Sequence, residues 1–322
     1  MGWWQVNADT LAQSRFVISP LAEATASLMV LERGTATHPG ERAWLDTHRT
    51  AYRNRLAGDP VTALLVRAAL GRRWVADFFG FIPTGSEPEL GEELARVRQT
   101  PPEAARADLT QSLGGPLPAS LHRSDLPERA ADLLGWVWQE TVLPYWPRRR
   151  RIMEADVVAR TRQLSQGGWA AALDDMRPGM RWLGEGRLQV NAYNHPPRRI
   201  AGAQLLFVPV TQGRGWVSWD EPHRYAVMYP CAGVLAQADL APVPEALGAL
   251  LGPARAGVLV LLETPKSTTQ LVALTGQRLG SVGRHLRVLL DARLVQRRRA
   301  GRSVLYYRTA AGDTLLEAQH GG

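Results

Sequence analysis

One cysteine, Cys231, and one lysine, Lys266, occur among 322 residues. A single thiol excludes an internal disulfide and any structural zinc site built on two or more thiolates. It also denies a redox sensor the partner cysteine that such sensors use. Long apolar runs are missing as well. The longest, at 203–210 and 258–262, fall far short of the ~20 residues that a spanning helix needs. The opening MGWWQVNADT lacks the basic and apolar regions of a signal peptide. The expectation is a cytoplasmic protein with no membrane partner. Catalytic signatures are absent too: there is no G-x-S-x-G, Walker motif, H-E-x-x-H, or G-x-G-x-x-G after a strand. Asp174 and Asp175 are adjacent on an expected helix and diverge. His195 and His223 have no carboxylate or cysteine at ligand spacing. The chain is therefore read as no enzyme, with no catalytic residue, no metal and no cofactor.

Acidic residues are scarce in one place only. The net charge is +8. From residue 253 to 310 there are eleven Arg or Lys against two Asp or Glu, whereas the rest of the chain has 27 basic and 28 acidic residues. Arginine richness from a GC-rich genome would act along the whole chain, so it does not explain this sorting. An anionic partner does. Tryptophan and phenylalanine obey the same division, since all sixteen lie at or before Trp219. The segment 238–248, ADLAPVPEALG, offers a boundary, because Pro242 and Pro244 disfavour helix just before them.

Two domains are therefore expected, 1–240 and 245–322, in the α+β class. The first is read as mixed helical and antiparallel-strand, a sensor or dimerisation domain. Ser19-Pro20 starts a helix that Gly34 closes. Further helical patterns cover 41–57, 60–70, 87–99, 102–113, 127–142 and 148–176. Strands are expected at 187–193, 203–210, 216–219 and 224–230. Helices followed by strands suggest α+β packing.

In the basic segment, 253–263 and 266–276 read as short helices. On 279–294, Val282, Leu286, Leu289 and Leu290 form one apolar stripe. Ser281, Arg284, His285 and Arg287 fall off it. The run LVQRRR, an Ala-Gly turn and RSVLYYR make a hairpin, and a closing helix is expected at 311–319. Helix, helix, turn, helix and hairpin is the order of a winged helix-turn-helix, whose last helix enters the major groove. The hairpin's Val304 and Tyr306 are expected to pack inward, while its arginines would only repel one another without an anionic backbone to meet.

The stretches STTQLVALTG and GSVGRHLRVLLDARLVQRRRAGRSVLYYR resemble the ArsR/SmtB class of bacterial transcriptional regulators. The match rests on the run from Ser281 to Leu289, on Leu-Val before the wing and on the wing's Tyr-Tyr-Arg. The resemblance implies a homodimer on a pseudo-palindromic double-stranded operator, with Ser281 and Arg284 near base edges and wing arginines on phosphate. The expected DNA-binding set is Thr268, Thr269, Gln277, Arg278, Ser281, Arg284, His285, Arg287, Arg297, Arg298, Arg299, Arg302 and Tyr307. Metal-sensing relatives carry cysteines on the helix before the recognition helix, and TTQLVALTG has none, so metal sensing there is not expected. Gly283 stands where many relatives carry a side chain. Much of 10–240 also resembles an uncharacterised domain found ahead of such heads, which supplies no ligand.

The first domain's aromatic residues suggest an apolar pocket, with Trp136, Trp146, Trp169, Trp182, Tyr193, Trp216 and Trp219 as candidate ligand-binding residues. The run Arg148 to Arg151 opposes the dipole at a helix start. It either meets phosphate or is solvated and paired with Glu154 and Asp156. The reading is a homodimeric DNA-binding repressor whose first domain senses a non-metal small molecule. The alternatives are a first domain that only contacts proteins, and an enzyme with a DNA-targeting tail.

Overall fold

A computed structural model describes residues 2–318, except 37–38, 72–73, 175, 194–195, 232–242, 264 and 301–302. Asp175, His195, Pro242, Gly301 of the expected hairpin turn, Arg302 and residue 319 thus lie outside the described residues. The chain is a mixed α/β protein of two compact units, 1–147 with 172–230, and 148–171 with 231–322.

The first unit opens with β1 (Trp3–Gln5), α1 (Ala8–Ala12) and β2 (Arg15–Phe16). Helices α2 (Pro20–Arg33), α3 (Pro39–Ala57), α4 (Pro60–Ala69), α5 (Leu90–Arg98), α6 (Pro102–Leu113) and α7 (Leu126–Val137) follow. Helix α2 is buried on every side from Leu21 through Leu31, as a helix inside the core of its unit is. Ser19 caps it by accepting from the Ala22 N–H at 3.0 Å, and Gly34 ends it in the left-handed region at φ 63°. Two buried carboxylates anchor it. Glu93 accepts from Ser19 Oγ at 2.6 Å and from the Leu21 N–H at 2.8 Å. Glu23 accepts from the Thr211 N–H at 2.8 Å and from its hydroxyl. Burying a carboxylate is tolerable only with such donors.

Helix α7 gives way to a π-helical turn at Trp138–Val142, where a continuous helix is expected from the sequence. Pro144 ahead cannot supply the next N–H and crowds the residue before it. Helix α8 (Trp146–Leu173) breaks at Gly168, whose φ of 68° and ψ of −172° no helix permits. Residues 148–171 of α8 group with the C-terminal elements.

Six further strands complete the unit: β3 (Arg181–Gly184), β4 (Arg187–Gln189), β5 (Arg198–Arg199), β6 (Gln204–Val210), β7 (Val217–Asp220) and β8 (Arg224–Pro230). One sheet has the order β3-β4-β1-β5, the other β2-β6-β8-β7. The second corrects the antiparallel expectation. Strand β6 runs parallel to both β2 and β8, and only β7 is antiparallel to β8. Strand β7 folds back on one edge of β8, which leaves the other edge to β6. The segment 211–223 is long enough to make that parallel crossover. Gly215 within it turns at φ 69°, where a Cβ would lie 2.1 Å from the Met228 carbonyl oxygen. Strand β4 stops short of the expected 193 because Asn191 Oδ1 accepts from the Tyr193 N–H at 3.0 Å, a local turn that competes with the ladder.

Besides residues 148–171, the second unit contains α9 (Glu245–Leu251), α10 (Pro253–Leu261), β9 (Lys266–Ser267), α11 (Thr268–Thr275), α12 (Leu279–Asp291), β10 (Val295–Ala300), β11 (Ser303–Arg308) and α13 (Ala310–Glu317). Its sheet has the order β10-β11-β9. Buried Val258, Leu259, Leu271, Val282, Leu286, Leu289, Val295 and Tyr306 supply apolar core to this unit. Leu290, expected on the same stripe, is half-buried.

Candidate nucleic-acid interface

Helix α11 begins with a capping box. The Gln270 N–H donates to Ser267 Oγ at 3.2 Å, and the Ser267 N–H donates to Gln270 Oε1 at 2.7 Å. This fixes the register of an eight-residue helix too short to persist alone. Gly276 closes it at φ 65°, and its N–H reaches the Val272 carbonyl at 3.0 Å. The chain then turns through Gln277 and Arg278 into α12.

Helix α12 buries Val282, Leu286 and Leu289 and exposes Gly283, Arg284, Arg287 and Val288. No side chain caps its N-terminus; the Ser281 N–H reaches the Arg278 carbonyl at 2.9 Å, and the N–H groups of Leu279 and Gly280 remain available to an anion. Around that terminus lies an open groove of about 640 Å³, lined by Arg151, Gln277, Arg278, Ser281 and Arg284. Ser281 Oγ donates to Gln277 Oε1 at 3.1 Å and lies 3.2 Å from His285 Nε2. Burial, then Arg255 and Arg284, push the His285 pKa below its ordinary value, since each disfavours the charged imidazolium.

Arg151 reaches the groove from α8, which accounts for part of the run Arg148 to Arg151. Arg148 Nε donates to the Ala273 carbonyl at 3.2 Å and so satisfies an orphan acceptor in the last turn of α11. Arg150 pairs with Glu154 at 3.0 Å. Asp156 pairs with Arg160, at 3.6 Å. Arg151 is left to the groove.

In the hairpin, register puts Arg297 opposite Tyr306, Arg298 opposite Leu305 and Arg299 opposite Val304. Alternation therefore turns Arg298 to the other face from Arg297 and Arg299, although all three are exposed. Tyr306 is buried and Val304 half-buried. Arg308 is used internally, paired with Asp313 at 2.7 Å. Among the described residues, Arg278, Arg284, Arg287, Arg297 and Arg298 have no carboxylate within ion-pair distance. Thr268 and Tyr307 are half-buried, whereas Thr269 is only 6% exposed and lies inside the unit. Two groups at this surface are not in the expected DNA-binding set. Arg151 is distant along the chain and is signalled only by charge against a helix dipole. Val288 is 44% exposed, yet sits in an apolar run that reads as core.

The candidate aromatic residues of the first domain meet different partners. Trp136 lies on α7 under the Arg55 guanidinium, 5.9 Å from the ring centroid, and Trp146 packs edge-on against Trp138 at 4.9 Å. Trp169 lies on the last part of α8 and Trp182 on β3. Trp219 sits between Trp74, at 4.9 Å, and the Arg198 guanidinium, at 4.1 Å. Tyr193 is exposed beside the Asn191 turn. Trp216 alone of the seven lines a cavity of about 330 Å³, at the C-terminal end of α2. Among the described residues no group of three or more His, Cys, Asp or Glu could hold a metal ion. No described helix is long and apolar enough to cross a membrane.

Scanned against protein-family models the chain matches none, and searches of curated proteins and of solved structures return no match either.

Proposed function

We propose that this protein is a sequence-specific transcriptional regulator of the ArsR type that binds double-stranded DNA through its C-terminal unit. In this reading the unit is a winged helix-turn-helix. Helices α11 and α12 form the helix-turn-helix, and β10 and β11 form the wing. The observation that carries the reading is the arginine groove at the uncapped start of α12, together with Arg297 and Arg298 of the hairpin, which have no acidic partner among the described residues. A surface of that kind is stabilised by phosphate and repels itself without it. Arg284 and Ser281 would read base edges from α12, since an arginine fork fits guanine O6 and N7. Arg151, Arg278 and Arg298 would neutralise phosphates and set position.

The protein would act as a homodimer on a pseudo-palindromic operator, and as a repressor. The first unit would sense a small, non-metal effector. Such an effector changes operator affinity only through differential affinity for two dimer shapes. The test is fluorescence anisotropy on the chain's own upstream DNA and on scrambled DNA, across a salt series. Tight binding to the former at salt that removes the latter supports a specific regulator. Equal, steeply salt-dependent binding to both would refute sequence-specific regulation at that DNA.

A further inference from the structure

The cavity of about 330 Å³ in the first unit is at the small end of ligand pockets, which span about 300–1,000 Å³. Its walls divide by chemistry. Ala26, Met29 and Val30 of α2 and the Trp216 ring give an apolar floor, all of it buried. Arg33 and Arg214 stand at the wall, both exposed, and among the described residues neither has an ion pair or hydrogen bond. Burial and then Arg214 push the Arg33 pKa down, so the two guanidinium groups repel across the opening. A third guanidinium, Arg49, approaches from α3, where a Cβ on Gly34 would lie 2.6 Å from its Nη2, and its buried Nε has no partner. Arg177 donates to the Gly215 carbonyl at 3.5 Å and holds the loop that forms the wall.

A further fact points to an absent anionic partner. The carboxylates that reach this loop are already engaged, Glu23 by Thr211 and Glu41 by the Gly213 N–H at 2.6 Å. Arg33 alone would have a simpler explanation, since a cation in the last turn of a helix is favoured by the dipole. That explanation does not extend to Arg214 or Arg49, which are not on α2.

We propose that this cavity binds a small monocarboxylate with an apolar body, its carboxylate at Arg33 and Arg214 and its ring or short chain on Met29, Val30 and Trp216. Guanidinium–carboxylate recognition gives the head specificity through paired N–H donors. The floor excludes water around it and gives the remaining affinity by area burial.

The test is isothermal titration of the full-length protein with phenylacetate and octanoate, each against its neutral amide, and with inorganic phosphate. At least one carboxylate should bind, with its amide at least tenfold weaker and phosphate weaker than either acid. Arg214→Ala and Arg33→Ala, both at exposed positions, should each weaken the carboxylate tenfold or more while circular dichroism stays unchanged. The proposal is overturned if neither acid binds at millimolar concentration, if an amide binds as well as its acid, if phosphate binds as tightly, or if both variants bind like the parent. No arm of this experiment uses DNA. A failure here therefore leaves the DNA-binding reading standing, and a failure of that reading leaves this one.

Discussion

The paired arginines of the first unit contrast with those of the α12 groove and hairpin in the second. In the first, Arg98 pairs with Asp132 at 3.0 Å, Arg224 with Asp220 at 3.0 Å, and Arg129 joins Asp59 at 2.8 Å to Asp125 at 2.7 Å. The Asp125 carboxyl, held by Arg123 and Arg129, sits well below the usual carboxylate range. In the second, Arg278 and Arg284 of the α12 groove and Arg297 and Arg298 of the hairpin have no such acids among the described residues. The same side chain thus serves as half of an internal pair at these positions and as an unanswered charge at the groove and the hairpin, although Arg308 of the second unit is paired and Arg33 and Arg214 of the first are not. Arginine count therefore says little about function; the distribution of its partners says more.

The largest expected effect breaks this contrast at base reading. Arg284→Ala should reduce discrimination between operator and scrambled DNA by about 1–3 kcal/mol, measured as the ratio of the two dissociation constants. Equal weakening on every sequence would reassign Arg284 to phosphate. Next, Arg298→Ala or Arg151→Ala should weaken both DNAs alike and flatten the slope of log K against log salt by about 0.9 for each phosphate no longer neutralised. In the first unit the sign of the experiment changes. Arg129→Ala should cost roughly 1 kcal/mol of stability, discounted for its partial exposure, and leave DNA affinity untouched.

The glycine at position 283 offers a sharper test of proximity. A Cβ there would meet nothing within 4 Å, so packing within the chain does not require glycine. Gly283→Ala should raise the stability of α12 by about 0.5–1 kcal/mol. If the duplex lies against that face, the same change should weaken DNA binding. A rise in stability with unchanged affinity would place the duplex farther off.

A last contrast concerns pH. Burial, opposed only in part by the Ser19 and Leu21 donors, raises the Glu93 pKa from 4.5 to about 7. Its protonated form is therefore favoured by folding. The stability this provides is complete below the unfolded value and is lost as pH rises from about 4.5 through about 7. Burial and then Asp108 push Asp77 up to about 7 as well, with the same sign. The first unit should melt a few degrees higher at pH 5 than at pH 8. Glu93→Gln should remove part of that difference in a melting series.

Much of the secondary structure was legible in the sequence. Helix α2 announces itself through Ser19-Pro20 and Gly34, and the strands at 204–210 and 224–230 through their apolar runs. The stripe of α12 follows from 3.6-residue spacing. Other features left no local trace. The parallel pairing of β6 with β8 depends on which edge of β8 the short β7 occupies, and no spacing encodes that. Arg293 ends α12 in the left-handed region at φ 57°, with the Leu294 N–H reaching the Leu289 carbonyl at 3.0 Å. Glycine is the usual residue at this point, so nothing in the local residues marks the turn. The different partners of the aromatic candidates left no local trace for a related reason. Ring content measures how much apolar surface must be buried, not where, and several of these rings pack against other rings and guanidinium groups.

Sequence alone determined where the charge excess lies, where most helices begin and end, and which face of α12 points inward. Those properties are local, set by caps, by 3.6-residue periodicity and by counting. Only the tertiary structure decided that Arg151 joins Arg278 and Arg284 in one groove, that Thr269 is withdrawn from the surface, and that Arg33 and Arg214 line one cavity. Each of these brings together residues far apart in the chain or sets a burial that neighbours elsewhere impose. Such placements depend on how whole elements pack, which no window of sequence contains.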